Sequence, residues 1–425
     1  MSAITAEYAV IVATVITVGL TIAETTASTL TSTKLSLNKN HDNFSDFLIW
    51  TANPEDGTVT GYSPDLVLVK TIIVPPIAGS DPAKRGQPTG IVCNKSDTDF
   101  LITDGIVTPI AATLIVVTQE GSILGYNPLV DPDKFILINT YLKYDFKGLA
   151  IFNGFLYATN YLGNPFSADG DVIKFDNEWN IVDTPGKFKP NLNDTGDALT
   201  PFGISIIRGL INVTYVNVRG NTMIPVRERN PTPGPGFGVV NQFDASGFLI
   251  RRSINPNTNL NVPYGSAQVR GYSFPDPETK VLVSNSGSGS FELYDFVTGK
   301  YFQGFQDNRL LGLKGMESIR SGSSHDGSSE RFYFAGGLTG PQGNIGNGFV
   351  GYVSFHNSHD PCDDDSVSSD SCNIKLKKTK SDKKSDKKVK ANKKLSGIEI
   401  ARTGSRLSVS PVSLAHFELL VEMGS

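Results

Sequence analysis

The chain has 425 residues, of which 42 are Gly, 24 are Pro and only 19% are charged. A single hydrophobic core stops growing at roughly 250–300 residues, so a chain of this length must divide its core among several units. The net charge of −4 argues by itself against a nucleic-acid partner, and three cysteines are too few to form a disulfide framework for a domain of this size.

The first predicted element is an uncharged run of sixteen residues, YAVIVATVITVGLTIA (8–23). A membrane span needs about 20 apolar residues, so the run better suits the apolar part of a signal peptide or signal anchor. The usual basic start is missing, because Glu7 precedes the run. We predict a hydrophobic leader over 1–30 and a secreted or membrane-anchored protein, with membrane contact through residues 8–23. The alternative is a β-branched strand or a helix docked on the body.

A two-part repeat then occurs six times. In each copy an apolar run leads, through a turn of small residues that contains Gly, to a second strand-like segment with an aromatic end. Gly permits the turn, and the flanking β-branched and aromatic residues suit a pleated surface. The intervals between aromatic ends, from 49 residues (175 less 126) to 68 (243 less 175), leave room for four short strands, which predicts one propeller blade per copy. The aromatic ends are Tyr62, Tyr126, Phe175, Phe243, Tyr294 and Tyr352.

A second element with Gly precedes five of the copies. In a propeller the innermost strand of each blade begins near the central channel, where Gly permits close approach of neighbouring backbones. We therefore predict an all-β, six-bladed β-propeller over 31–357, closed by residues 30–50. A sandwich or barrel is the alternative, because Gly and Pro interrupt strands in every all-β fold. The segments are PTGIV (88–92), FKGLAIF (146–152), PFGISII (201–207), PYGSAQV (263–269) and KGMESI (314–319).

The composition changes abruptly after residue 357. Residues 375–394 contain eleven Lys and two acidic residues, Asp382 and Asp386, which gives a local charge of +9. Because the whole chain has a net charge of −4, the remaining residues carry −13. A stretch of this composition cannot bury enough apolar surface to offset its ordering entropy. We predict a disordered, acidic then Lys-rich linker over 358–396 and a docking segment over 397–425.

The Lys-rich stretch predicts contact with an anionic polymer or a protein partner, and a passive solubilising linker is the alternative. It has neither Arg nor aromatic residues, so it does not favour sequence-specific nucleic-acid binding. The lysines predicted to make this contact are Lys377, Lys378, Lys383, Lys384, Lys387 and Lys388. Cys362 and Cys372 flank the acidic part and either form a disulfide in an oxidising compartment or stay free, whereas Cys93 is predicted to be a buried thiol.

Four segments, IWTANPEDGTVTGYSPD, VPPIAGSDPAKRGQPTGIVCN, VVTQEGSILGYNP and YDFKGLAIFNGFLYATNY, resemble an uncharacterised, mostly exported bacterial family of six-bladed propellers. That family is similar in architecture to the NHL-repeat and SMP-30/gluconolactonase-like propellers. The resemblance spans about 45–355 and implies the fold and export. Similar proteins in large DNA viruses make a virion location the alternative. Four glycosylation sequons matter only on a secretory route: Asn43, Asn94, Asn193 and Asn212.

The resemblance also implies a candidate metal site. The gluconolactonase-like hydrolases hold a divalent metal at the channel mouth with Glu, Asp and Asn, whose oxygen atoms suit Ca²⁺. The comparable residues are Glu317, after the KGM turn, and Asn53, Asn160 and Asn285, which recur in three copies. The alternative for each Asn is structural, because Asn often bonds the backbone in turns.

The five histidines lie in predicted loops and tails, which places no histidine base at the channel. We therefore predict a non-enzymatic binding or structural module of an exported or particle-associated protein, without a cofactor. The alternative is a Ca²⁺-dependent lactonase or ester hydrolase.

Overall fold

The computed structural model describes residues 5–12, 49–63, 66–161, 171–190, 199–218, 234–255, 259–269, 279–305, 316–321, 331–339 and 345–356. Their regular elements are 25 β-strands. In this part of the chain no helix has the length and apolar character to cross a membrane. The linker 358–396, the docking segment 397–425 and most of the predicted leader lie outside the described residues.

The strands form five four-stranded sheets, one three-stranded sheet and one two-stranded hairpin. Sheet I contains β2 (Ile49–Asn53), β3 (Thr58–Tyr62) and β4 (Leu68–Ile73). Sheet II contains β5 (Pro88–Cys93), β8 (Leu114–Thr118), β9 (Ser122–Tyr126) and β10 (Ile136–Thr140), with the hairpin of β6 (Leu101–Ile102) and β7 (Ile110–Ala111) inserted between its first two strands. Sheet III contains β11 (Phe146–Phe152), β12 (Phe155–Asn160), β13 (Asp171–Phe175) and β14 (Ile181–Val182).

Sheet IV contains β15 (Leu199–Ile207), β16 (Leu210–Asn217), β17 (Val239–Phe243) and β18 (Leu249–Ile254). Sheet V contains β19 (Pro263–Gln268), β20 (Lys280–Asn285), β21 (Ser290–Asp295) and β22 (Tyr301–Phe305). Sheet VI contains β23 (Met316–Ser321), β24 (Arg331–Thr339), β25 (Ile345–His356) and, from the other end of the chain, β1 (Thr5–Val12).

The sheets pack against one another in chain order, and the hydrophobic core is divided among their interfaces. The last interface joins sheet VI back to sheet I, so the sheets form a closed ring. This arrangement confirms the predicted β-propeller, with five four-stranded blades and sheet I in the sixth position. Pairs that share one buried cluster or ring contact are Val59 with Leu124 (I and II), Ile115 with Leu156 (II and III), Tyr157 with Val213 (III and IV), Val240 with Val283 (IV and V), Phe291 with Phe334 (V and VI) and Tyr333 with Leu66 (VI and I).

Strand β1 is the outer strand of the last blade. It pairs with β25 from Thr5 opposite His356 to Val12 opposite Phe349. The apolar run 8–23 therefore begins in a strand, as in the docked-strand alternative, and closure of the ring involves residues well before 30–50. Whether residues 1–30 also serve as a leader stays a prediction. The prediction that His356 lies in a loop is wrong, because this residue ends β25.

Two faces of the ring follow from the alternating strand directions. The second strand of every four-stranded blade ends where the first strand begins, and we call this side the Asn face, because Asn160, Asn217 and Asn285 end second strands there. Asn53 ends β2, which contacts β5 just as the second strands of sheets III, IV and V contact the next innermost strand, so Asn53 lies on the same side. The first and third strands end on the opposite side. We call that side the hairpin face, because the inserted hairpin β6–β7 follows the first strand of sheet II.

Candidate functional site

The Asn face presents polar residues close to the start of the innermost strands. Asn160, Asn285 and Thr118 lie opposite Phe146, Pro263 and Pro88, each directly before the bulge of its innermost strand. In sheet IV that position is held by Tyr215, and Asn217 lies two residues later, opposite Leu199. The repeat predicted Asn53, Asn160 and Asn285 but not Asn217. Its signal was present, since LINVTYVN ends as FLYATN and KVLVSN do, but the long connection after residue 217 hid the match.

Three of these asparagines are hydrogen-bonded within their own blade or to the loop that enters it. The Asn160 Oδ1 accepts from the backbone N–H of Asp145 at 2.9 Å. The Asn285 Oδ1 accepts from the N–H of Asn261 at 3.1 Å, and its amide donates to a backbone carbonyl in the same loop. The Asn53 amide donates to the Thr60 hydroxyl at 3.0 Å. These bonds give the three asparagines the structural role that was the alternative to metal binding.

Asn217 differs from the other three. Its residue is only 2% exposed, and its Oδ1 has no hydrogen-bond partner. A buried acceptor without a partner is costly, so such atoms are rare in folded proteins. Among the four asparagines of this face, Asn217 is therefore the one whose Oδ1 accepts no hydrogen bond from the described residues.

Two hydroxyls in second strands, those of Thr159 and Thr214, join neighbouring blades close to the Asn face. In sheet III the Thr159 Oγ1 accepts from Gly148 N at 2.7 Å and donates to Phe202 O, in the next innermost strand, at 2.6 Å. These bonds lie where the pairing of the innermost strand shifts, which marks a β-bulge. Sheet IV repeats the arrangement with Thr214, which bonds Gly203 in its own blade and Tyr264 in the next innermost strand. In sheet V the Ser284 Oγ accepts from Gly265 N at 2.9 Å, within the same blade.

The repeated Gly permits the predicted close approach of these strands. A Cβ on Gly203 would lie 1.7 Å from the Tyr264 carbonyl oxygen. A Cβ on Gly148 would lie 3.0 Å from the carbonyl oxygen of Phe202. A side chain at Gly203 or Gly148 would therefore meet the backbone of the next blade, which is the close approach that the repeated Gly predicts.

Aromatic rings and one ion pair occupy the bulges in the middle of the ring. The Phe202 and Tyr264 rings lie 4.3 Å apart, and the Tyr161 ring is 5.7 Å from Phe202. The Lys147 Nζ lies 2.8 Å from the Asp145 Oδ1 and 5.3 Å from the centre of the Tyr161 ring. Burial raises the pKa of the Asp145 carboxyl, and the Lys147 ammonium offsets this only in part. The arrangement therefore combines apolar ring faces with a largely buried, internally neutralised charge pair.

The four predicted metal ligands lie on four separate sheets. Asn53, Asn160 and Asn285 belong to sheets I, III and V. Glu317 lies in the innermost strand of sheet VI, at the bulge between Met316, opposite Gly336, and Ser318, opposite Ala335. Among the described residues, no three His, Cys, Asp or Glu side chains are grouped to hold a metal. Calcium binding stays a prediction.

The other predicted sites fall partly outside the described residues. These are the six lysines from Lys377 to Lys388 and the Cys362 and Cys372 pair. Cys93 is only partly buried, against the core between sheets I and II, so the prediction of a buried thiol is too strong. Of the sequons, Asn94 and Asn212 are buried in the folded chain.

No known protein-family model matches the chain. Its sequence is 26% identical over 237 residues to the uncharacterized protein R640 of Acanthamoeba polyphaga mimivirus. The aligned region covers 54% of this chain and 42% of that protein. The chain therefore spans less than half the length of this relative. The match agrees with the expectation that similar proteins occur in large DNA viruses.

Three solved structures show a weaker likeness. A calcium-binding protein, regucalcin, from Agrobacterium tumefaciens has a TM-score of 0.44 at 9% identity, over 72% of this chain and 85% of that chain. A protein of unknown function from Bacteroides caccae has a TM-score of 0.41 at 10% identity, over 68% and 82% of the two chains. A chain of a nidogen/laminin complex has a TM-score of 0.40 at 12% identity, over 68% and 84%. At TM-scores below 0.5 these likenesses carry no inference about this chain.

Proposed function

We propose that the chain is a non-enzymatic β-propeller module that acts by binding a partner. The observation that carries this proposal is the use of the polar side chains on the Asn face. Asn160 and Asn285 fasten the loops that enter their blades, and Thr159 and Thr214 join innermost strands. A metal or substrate that recruited these groups would leave buried backbone partners unsatisfied, at a cost of about 1–3 kcal/mol each.

Asp145 has one property of a general acid, because burial raises its pKa. The carboxylate is nevertheless paired with Lys147 at 2.8 Å, and both side chains are largely buried. Removing one partner of such a pair leaves an uncompensated buried charge. We therefore assign the pair to the architecture of the ring.

Metal analysis of the purified full chain tests the proposal against the Ca²⁺-dependent hydrolase. We expect no stoichiometric divalent ion and no hydrolysis of lactone or ester substrates. The variant Glu317→Gln should behave like the wild type, and Glu178→Gln, on the hairpin face, is the matched control. One Ca²⁺ per chain that is lost in Glu317→Gln and kept in Glu178→Gln would overturn the proposal.

We further propose that the module is exported or particle-associated. The apolar run 8–23 supports export, and the mimivirus relative supports the virion alternative. N-terminal sequencing of the mature protein separates them, because cleavage near residues 24–30 requires export. Such cleavage would also remove β1 and leave β25 without its outer partner. An intact N-terminus would contradict a cleaved signal peptide.

A further inference from the structure

The hairpin β6–β7 interrupts the repeat and is held against the neighbouring blade by two hydrogen bonds and a ring contact. The Trp179 indole donates to Leu101 O at 3.0 Å, and the Phe100 N–H donates to Asn177 O at 2.9 Å. The Phe100 and Trp179 rings meet edge to face at 5.1 Å. Because Trp179 belongs to the turn between the third and fourth strands of sheet III, the hairpin bridges two blades on the hairpin face.

The tip of this hairpin is ordered but exposes an apolar side chain. The Asp104 Oδ1 accepts from the N–H groups of Ile106 and Val107 at 2.8 and 3.0 Å, and the Thr103 hydroxyl donates to Val107 O at 2.7 Å. Ile106 is nevertheless 89% exposed. Burial of an Ile side chain is favourable, so a fixed turn that presents one to water offers a contact point to a partner.

The segments joined by Trp179 carry further exposed apolar residues and a strong negative charge. Leu101 and Ile181 are exposed large apolar side chains. Residues 94–113 and 175–183 together contain one Lys and six acidic residues, which gives a net charge of −5. We call this region the hairpin surface; its apolar members are Leu101, Ile106 and Ile181, and its acidic members are Asp97, Asp99, Asp104, Asp176, Glu178 and Asp183.

We propose that the Lys-rich tail of the same chain, residues 375–394, docks on the hairpin surface. The tail carries +9 and the surface −5, and the apolar segment 398–423 that follows the tail provides side chains for the exposed isoleucines. Oppositely charged surfaces steer association and favour one partner over others. The tail therefore complements the hairpin surface both in charge and in apolar character.

The place where the chain leaves the propeller fits this docking. Strand β25 is the third strand of its blade and ends at His356, so the chain leaves on the hairpin face. The eighteen residues 357–374 that precede the tail can span up to about 60 Å. A compact body of about 330 residues has a diameter of roughly 50 Å, so the tail can reach the hairpin surface in the same molecule.

This docking goes beyond the proposed function, because it assigns the tail a partner within the chain. Lysines held by the hairpin surface would not be free to contact an external polyanion, so the two uses compete.

Carbodiimide cross-linking of the full chain, followed by peptide mass spectrometry, tests the docking. At low salt, tail lysines should cross-link to Asp97, Asp104 and Glu178 on the hairpin surface. The cross-links should disappear at 1 M salt, where the Debye length is about 3 Å. Ile106→Ser should reduce their yield severalfold, and Leu142→Ser, at a residue 76% exposed outside the hairpin surface, is the matched control.

Three outcomes would overturn the proposal. The first is cross-linking to Glu55, Asp56 and Asp81, at sheet I, as often as to the hairpin surface. The second is an equal cross-link yield in Ile106→Ser and Leu142→Ser. The third is cross-links between isotopically light and heavy chains in a mixed sample, which would assign the tail to a second copy. None of these outcomes depends on whether the propeller is an enzyme, which the metal analysis decides separately.

Discussion

Replacing Thr214 by Val removes one hydroxyl from the Asn face and leaves the shape of the side chain almost unchanged. This hydroxyl accepts from Gly203 N at 2.8 Å and donates to Tyr264 O at 2.7 Å, which joins the innermost strands of sheets IV and V. Thr214 is only 1% exposed, so water does not readily replace the lost bonds. The substitution therefore tests whether these hydroxyls hold neighbouring blades together.

The expected loss of stability follows from the two backbone groups left without a partner. Each buried N–H or C=O without a hydrogen bond costs about 1–3 kcal/mol. The new methyl group returns about 0.8 kcal/mol through added apolar burial. We expect Thr214→Val to lower the free energy of unfolding by about 2–4 kcal/mol. At an unfolding entropy of about 2.1 cal/mol/K per residue over some 330 residues, Tm should fall by about 3–6 °C.

Urea unfolding and calorimetry of the full chain measure this loss. Thr108→Val is the matched control, because Thr108 is exposed on the hairpin face and makes the same exchange of hydroxyl for methyl. The control should change stability by less than about 0.5 kcal/mol. If Thr214→Val changes stability no more than Thr108→Val does, the hydroxyl does not join the blades and the reasoning is refuted.

Two further predictions concern packing and charge. Gly203→Ala would place a Cβ 1.7 Å from the Tyr264 carbonyl oxygen, so we expect a loss of about 3 kcal/mol or more in urea unfolding, and a near-neutral result would contradict the close approach of the strands. Asp295→Asn should cost about 3–5 kcal/mol at pH 7, because it leaves Lys280, which is buried, without its carboxylate at 3.2 Å. Burial opposes ionisation of Asp295, but hydrogen bonds from Thr298 and Lys280 outweigh burial and hold the pKa of Asp295 well below 3.8. The ionised carboxylate therefore stabilises the folded chain above pH 3.8, and this contribution is lost as the pH falls below that value. The difference between wild type and Asp295→Asn should therefore narrow in unfolding measurements made below pH 3, and a constant difference would contradict the assignment.

The blades could be predicted from the sequence because the signals that build them are local. Aromatic ends such as Tyr126 and Phe243 are fully buried at the ends of third strands. The turn residue after such an end is also encoded locally, since the Asp244 Oδ1 accepts from Ser246 N at 2.8 Å. Strand β1 is different. Its pairing with β25 joins residues more than 300 positions apart, and no local pattern specifies that partner.

The candidate site was only partly predictable, for a physical reason that differs from residue to residue. The positions of Asn53, Asn160 and Asn285 followed from the repeat, but the hydrogen bonds of Asn160 and Asn285 depend on loops whose course the repeat does not fix. Glu317 was expected just after the Gly turn and does lie in the innermost strand of its blade. The ion pair of Asp145 with its neighbour two residues later was missed, because the sequence does not reveal that both side chains are buried.

The two faces of the ring use their polar and apolar groups in opposite ways. On the Asn face, the side chains of Asn160, Asn285 and Thr214 bond loops and strands, so a substitution such as Asn160→Ala should lower stability before it affects any ligand. On the hairpin face, Ile106 and the acidic residues around it form a fixed surface that contributes little to the core. The substitution Ile106→Ser should change binding while leaving stability nearly unaltered, because Ile106 is 89% exposed. Because the hairpin face presents a fixed, exposed apolar side chain among acidic residues, this face rather than the Asn face is where we expect a partner to be recognised.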